Sequence, residues 1–348
     1  MNQKLITIHS GKVNDYIHLV DLYEFGMPRV LACFVAKFDD CTCILDCGSS
    51  IEIKKIIRYL RNNNIPLSSV KYLITTHHHF DHAGGMWKLY NKIKKYNPKV
   101  KILTNRMTKE LLNDYEYHLN RAKRTYKEFA GEMRSIEENA FELFEPSANF
   151  SYDLNSLEFL KKFTINGEEV KLCVLKTPGH TPDHQCSLFV RNGENEFLYA
   201  GEAAGTIYHS TKLITMPTSM PIYFNYKDFI ASLTNLKKLK TPLQIGYTHF
   251  GVVSGKENVK YILEEQEEFL KQFRAKTIEY YNEKPETKYV FDKLAPFFVN
   301  RSDVVGEDKI GLQNIVLGVV YGMMMDLGFR TLDESEKEQL KRFKNSIS

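Results

Sequence analysis

The stretch that most constrains this chain is Thr76-His77-His78-His79-Phe80-Asp81-His82-Ala83-Gly84-Gly85, directly after the apolar run Val70-Lys71-Tyr72-Leu73-Ile74-Thr75. A strand ending there releases a short loop whose side chains converge instead of alternating across a sheet. Imidazoles and a carboxylate are the ligand set of zinc and similar first-row metals. His77, His79, Asp81 and His82 therefore demand a fold that presents a loop at a strand end and supplies further ligands from elsewhere in the chain.

At 348 residues the chain can bury a large core in one or two domains. A composition of 43% hydrophobic and 26% charged residues argues against a disordered or membrane-embedded class. A net charge of +4 over this length gives no reason to expect nucleic acid as a partner. The first ten residues lack the apolar segment of a signal peptide, and the longest apolar stretch, residues 315–325, is too short to span a bilayer. A cytoplasmic protein without a membrane partner is expected. The six cysteines form no CxxC pair and read as buried free thiols.

Residues 1–50 read as strands and end in Cys43-Ile44-Leu45-Asp46-Cys47-Gly48. Asp46 is either a turn residue or a carboxylate placed under the metal loop. Residues 51–62 have helical spacing with a basic outer face. In residues 106–145, Leu111, Tyr115, Leu119, Tyr126, Phe129, Met133 and Ile136 recur at helical intervals. This predicts a helical insertion, acting as a lid or as outer packing. His118 within it reads as a surface or hydrogen-bonded histidine, not a ligand. Asn166-Gly167 and Asn192-Gly193 mark turns between strands. Three later strand ends then deliver ligand-type residues: His180 in Thr177-Pro178-Gly179-His180-Thr181, Glu202 in Gly201-Glu202, and His249 in Thr248-His249-Phe250-Gly251. From about residue 256 the chain reads as helical. Its apolar run at 315–325 must be buried, against the main domain or in a homodimer.

Together these motifs resemble the metallo-β-lactamase-fold hydrolases over about residues 15–255. The resemblance implies an α/β fold, a four-layer αβ/βα sandwich with two divalent metal ions at one edge. Residues 1–255 would form that domain, with 106–145 inserted, and 256–348 a helical extension. It implies His77, His79 and His180 on one ion, and Asp81, His82 and His249 on the other. The family's bridging carboxylate maps onto Glu202. The family has Asp there, and Glu is longer by one methylene, so Glu202 either bridges from a set-back backbone or binds one ion only. Zinc is the first expectation for the metal, with iron or manganese as alternatives. Asp46 and His184 would support the ligands from behind, and His78 would point away from the metals.

The implied chemistry is hydrolysis of an ester, lactone or thioester of a small molecule by metal-activated water, with Asp81 orienting the nucleophile. The histidine loop looks most like the glyoxalase II branch. However, the Gly-Cys-Gly-Arg stretch of that branch is replaced by Glu202-Ala203-Ala204-Gly205, which is closer to lactonase-like members. Tyr208 is a candidate hydrogen-bond donor to a substrate carbonyl. Two readings from other classes stand beside this one. One is a single-iron oxygenase of the persulfide dioxygenase kind, and the other is a non-catalytic metal-binding protein.

Overall fold

In the computed structural model, the described residues are 5–148, 150, 153–154, 157–303, 309–334, 336–338 and 340–341. Parts of the expected helical extension, including 304–308 and 342–348, lie outside them. Fourteen strands in the described chain form two seven-stranded sheets. One sheet holds, in spatial order, β2 (Gly11–Lys12), β3 (Ile17–Asp21), β4 (Ala32–Lys37), β5 (Thr42–Leu45), β6 (Val70–Ile74), β7 (Lys101–Thr104) and β8 (Phe141–Leu143). The other holds β9 (Phe159–Ile165), β10 (Glu168–Lys176), β11 (Gln185–Arg191), β12 (Glu194–Gly201), β13 (Gln244–Tyr247) and β14 (Gly251–Ser254), closed at its far edge by β1 (Ile6–Thr7).

Each sheet has two buried faces, which is why its strands read as apolar runs and not as clean alternations. The inner faces meet in a core that includes Leu19, Phe34, Leu45, Leu172, Phe189 and Phe197. Outside the first sheet, α1 (Ile53–Asn62) and α3 (Met86–Lys94) bury Ile56, Leu60, Leu89 and Ile93. Outside the second sheet lie α6 (Tyr226–Lys238), α7 (Lys256–Glu283), α8 (Thr287–Val299) and α9 (Lys309–Asp326), sharing one core through Phe229, Leu263, Phe298 and Val320. The result is the helix–sheet–sheet–helix layering expected of the fold.

The Asn-Gly pairs form the tight hairpins they predict. Ile165 pairs with Glu168 and Arg191 with Glu194, with Asn166 and Asn192 left-handed at φ 53 and 52. The helical reading of 106–145 holds through α4 (Arg106–Asn113), α5 (Glu116–Tyr126) and a short 3-10 turn ending at Ala130. Beyond that the structure differs. Residues 131–137 have no regular secondary structure and 141–143 are β8, paired in parallel with β7. Met133 and Ile136 bury themselves from an irregular path, so their three-residue spacing was not a helical signal.

The apolar run at 315–325 is accounted for within the chain. Val316, Val319, Val320, Met323 and Met324 join the outer core, while Ile315, Leu317 and Tyr321 are half-buried. All six cysteines are free and buried. Among the described residues no helix is long and apolar enough to cross a membrane.

Candidate metal centre

Strand direction brings the ligand-type residues together. β5 and β6 are parallel, so Asp46 and the histidine loop emerge at one edge. β10, β12 and β13 run in one direction, because β11 is antiparallel to both neighbours and β12 is parallel to β13. Their carboxyl ends therefore carry His180, Glu202 and His249 to the facing edge of the second sheet. In the short helix α2 (Phe80–Ala83), one turn swings Asp81 and His82 back under the loop.

Three groups of ligand-type atoms result, one of them His78, His79 and His118, which contains no carboxylate; the other two face each other across the edge. One atom each from His77, His79, His180 and Glu202 lie within 4.8 Å of one another, and so do one each from Asp81, His82 and His249. Glu202 touches both groups with one oxygen. Its Oε2 stands 2.7 Å from His180 Nε2, 3.5 Å from His77 Nε2 and 3.1 Å from His82 Nε2. Asp81 Oδ2 stands 3.4 Å from His249 Nε2 and 3.9 Å from His82 Nε2.

The outer nitrogens fix the tautomers. His82 Nδ1 donates to Asp46 Oδ2 at 3.0 Å, His180 Nδ1 to the Thr218 carbonyl at 2.6 Å, and His249 Nδ1 to the Val30 carbonyl at 2.8 Å. Thr76 Oγ1 gives its proton to Asp46 Oδ2 and so accepts from His77 Nδ1 at 3.0 Å. Each of these four rings thus turns its Nε2 inward, the atom a metal would take once it is free of a proton. The Nε2 atoms of His77 and His82 are buried with no hydrogen-bond partner. Such orphaned acceptors in a carboxylate-lined site fit a divalent cation.

The electrostatics agree. Burial and the surrounding imidazoles push His77 and His79 well below the usual histidine range. Burial works against ionisation of Glu202, but His180 and His82 outweigh it and hold the carboxyl well down. Burial also works against a charged His82, yet Asp81, Asp46 and Glu202 overcome it and favour positive charge there. The edge thus gathers ionised carboxylates whose field favours a cation, the role that falls to His82 here.

Asp46 lies beneath the histidine loop. It sits at the strand end in a left-handed conformation, φ 55, which Asp tolerates. Its Oδ1 accepts from Thr76 N at 2.7 Å, and Oδ2 from Tyr199 Oη at 2.7 Å as well as from His82. His184 stands behind Glu202: its Nε2 accepts the Glu202 N–H at 3.1 Å while Nδ1 faces Thr177 Oγ1. Burial, with His180 nearby, holds its pKa down to about 3. Gly201 is required between them, because a Cβ there would lie 2.7 Å from His184 Nε2. His78 turns away from the two carboxylate-bearing groups, with Nδ1 3.0 Å from Asp183 Oδ1. His118 is half-buried, accepts the Phe80 N–H at 3.0 Å and stacks on His79.

A cavity of about 280 Å³ opens onto both ligand groups. Tyr208 lines it, buried, with its ring 5.9 Å from His249. The motifs did not single out Glu24, Tyr126, Arg121 or the face of α9 carrying Ile315, Leu317 and Tyr321, all of which also line it. Glu24 is 3% exposed and its Oε1 has no partner. The residues flanking it, Tyr23 and Phe25, are left-handed at φ 48 and 53, a conformation costly for aromatic residues.

Two sheets sandwiched between helices, with this histidine and carboxylate edge, define a metallo-hydrolase scaffold. Residues 28–249 match the metallo-beta-lactamase superfamily, and the chain belongs to that family. Most of its members are metal-dependent hydrolases. A hydroxyacylglutathione hydrolase of Pelagibacter ubique (strain HTCC1062) is 41% identical over 58 residues. That match covers 17% of this chain and 22% of the relative's length. Two solved structures share the fold. An archaeal metallo-beta-lactamase superfamily protein from Sulfolobus tokodaii has 19% identity and a TM-score of 0.57, over 89% of this chain and 98% of that one. A B3 metallo-beta-lactamase with an active-site glutamic acid has 14% identity and a TM-score of 0.51, over 77% and 91%.

Proposed function

We propose that the chain is a dinuclear metal-dependent hydrolase that cleaves an ester, lactone or thioester of a small molecule. His77, His79 and His180 would hold one divalent ion and Asp81, His82 and His249 the second, with Glu202 available to both. Zinc is the first choice of metal, with iron or manganese as alternatives. The observation that carries this reading is the single Glu202 oxygen lying 2.7 Å from a nitrogen of one group and 3.1 Å from a nitrogen of the other. Bound divalent ions supply a water of near-neutral pKa and Lewis-acid polarisation of a carbonyl.

The chain's own residues do the rest. Asp81 orients the attacking water through its carboxylate. Asp46 and His184 hold His82 and the Glu202 backbone in place. The Tyr208 phenol, facing the cavity beside His249, donates to the substrate oxygen. The cavity, lined by apolar and aromatic side chains beside its charged edge, suits a substrate of modest size, in line with the hydroxyacylglutathione hydrolase likeness. The apolar run that allowed for a homodimer packs inside the chain, so a dimer has no argument from it.

The test is a panel of lactones, thioesters and esters assayed on protein reconstituted with zinc, manganese or ferrous iron. Saturable turnover of at least one compound class is expected. Oxygen uptake with a single bound iron, or no turnover at saturating metal, overturns the reading.

A further inference from the structure

The near-balanced total charge hides an uneven distribution. Between Ile53 and Lys109 the chain carries thirteen Lys and Arg against one carboxylate, Asp81, which faces the metal centre. The whole chain is only +4, so the remainder is net acidic. Such asymmetry marks a surface for an anionic partner.

The fold organises these charges. α1 and α3 each connect parallel neighbours, β5 to β6 and β6 to β7, and both pack on the same core. They therefore lie side by side and point the same way. Lys54, Arg58 and Arg61 recur at i, i+4 and i+7 on α1; Lys88, Lys92 and Lys95 repeat that spacing along α3 and its C-cap. All six line one groove of about 710 Å³, and no acidic side chain lines it. Each row is about 10 Å long at 1.5 Å per residue, and packed helices put the rows roughly 8–10 Å apart. None of the six lies within ion-pair distance of a carboxylate among the described residues, whereas nearby Lys94 and Arg134 are taken by Glu137 and Glu132. Trp87 also lines the groove, held by a bond from Nε1 to the Glu132 carbonyl. The groove shares no lining residue with the metal cavity.

We propose that the α1–α3 groove is a binding site for single-stranded nucleic acid, separate from the hydrolytic centre. Two parallel cationic rows one helix-width apart embrace a single phosphodiester strand, and a duplex could only rest on their rims. Arg58 and Arg61 offer forked donors matched to phosphate oxygens, and Trp87, with the Arg134 guanidinium 4.6 Å from the centre of its ring, adds a cation-backed aromatic platform for a base. The apolar floor argues against the other anionic partners. Ile53 and Ile57 are buried, and only Ile51 and Trp87 are half-exposed in the groove, too little apolar surface to enter a bilayer or to seat the apolar anchors of an acidic peptide.

The test is fluorescence anisotropy of labelled dT20 and rU20 over a salt series. Six phosphate contacts predict a slope of log K against log salt near about −4, at roughly 0.7 per contact for single strands. Replacing Arg58, Arg61, Lys92 and Lys95 by Gln together should reduce the slope to about −1.4 and weaken binding at least tenfold at moderate salt. A charge-matched control, with Lys260, Lys284, Lys288 and Lys293 replaced by Gln, should shift binding less than about threefold. Both variants should keep the wild-type melting curve, since the groove side chains are solvent-facing. No binding in low salt, equal losses in the two variants, or tighter binding of polyglutamate or phosphatidylserine vesicles than of dT20 would each overturn the proposal.

Discussion

Asp46 Oδ2 lies 3.0 Å from His82 Nδ1, and this one contact ties the end of β5 to the far side of the histidine loop. The same carboxylate takes Thr76 N and Oγ1 and Tyr199 Oη, so a single buried group sets the tautomer of His82 and the path of the strand that leads to it. Asp46→Asn keeps the shape but puts an amide N–H against one of these donors. Metal affinity should fall about 10–100-fold, as expected for the loss of a partner behind a ligating histidine, with the ion on the Asp81–His82–His249 group lost first. Competition against a chromophoric chelator measures this, and unchanged affinity would sink the assignment of Asp46.

Glu202 stands where the resemblance expects Asp, and its backbone N–H is pinned to His184. Restoring the familiar residue should therefore harm the site. Glu202→Asp pulls the carboxylate back from His82 while the backbone cannot follow, so the same chelator titration should show at least a ~10-fold weaker site. Equal or tighter binding in the variant would show that the backbone at 202 is free to move.

That the ligand-type side chains would gather at one edge was legible from sequence, because metal chemistry restricts residue type. His77, His79, Asp81 and His82 sit together, and His180, Glu202 and His249 each follow a strand. The Asn-Gly hairpins were readable because they need left-handed backbone. What escaped was long-range. Glu24, Tyr126 and Ile315 line one cavity although they are far apart in the chain, and no local spacing announces that. Three-residue β8 was hidden because Phe141-Glu142-Leu143 is too short to show a period, and an irregular segment can bury Met133 and Ile136 at a helix-like interval.

α9 roofs the cavity through an unusually close approach at Gly322. A Cβ there would lie 1.8 Å from the Ser219 carbonyl oxygen, a backbone atom that cannot swing aside. Ser219 Oγ also donates to the Val319 carbonyl at 2.8 Å, fastening the helix to the loop. Gly322→Ala should cost about 1–3 kcal/mol by overpacking and should raise KM more than it lowers kcat, because the roof moves and the ligands do not. Urea midpoints and steady-state kinetics check both parts; a variant with wild-type stability would contradict the fit.

His18 gives the fold a pH dependence away from the metal edge. Burial, with Lys12 and Lys37 adding to it, lowers its pKa to about 4. Its Nδ1 sits 2.9 Å from Tyr59 Oη, and its Nε2 is buried without a partner. Because the unfolded chain protonates His18 near the ordinary histidine value of 6.5 and the folded chain only near 4, the unfolded state binds more protons in between. The stabilising contribution is full above that window and is lost as pH falls from 6.5 towards 4. His18→Gln should therefore lose less of its urea midpoint than wild type between pH 7 and pH 5. Parallel losses in the two proteins would exclude His18 as the source.

The most direct test of the central claim is activity against metal equivalents. Stripped protein is titrated with zinc and assayed on the best ester, lactone or thioester found. Activity should rise to a plateau at two ions per chain, and Asp81→Asn should lower kcat/KM by about 100-fold or more, within the range for loss of a positioned acid–base group. Full activity at one equivalent, or turnover that survives Asp81→Asn, would contradict a dinuclear centre with Asp81 orienting the nucleophile.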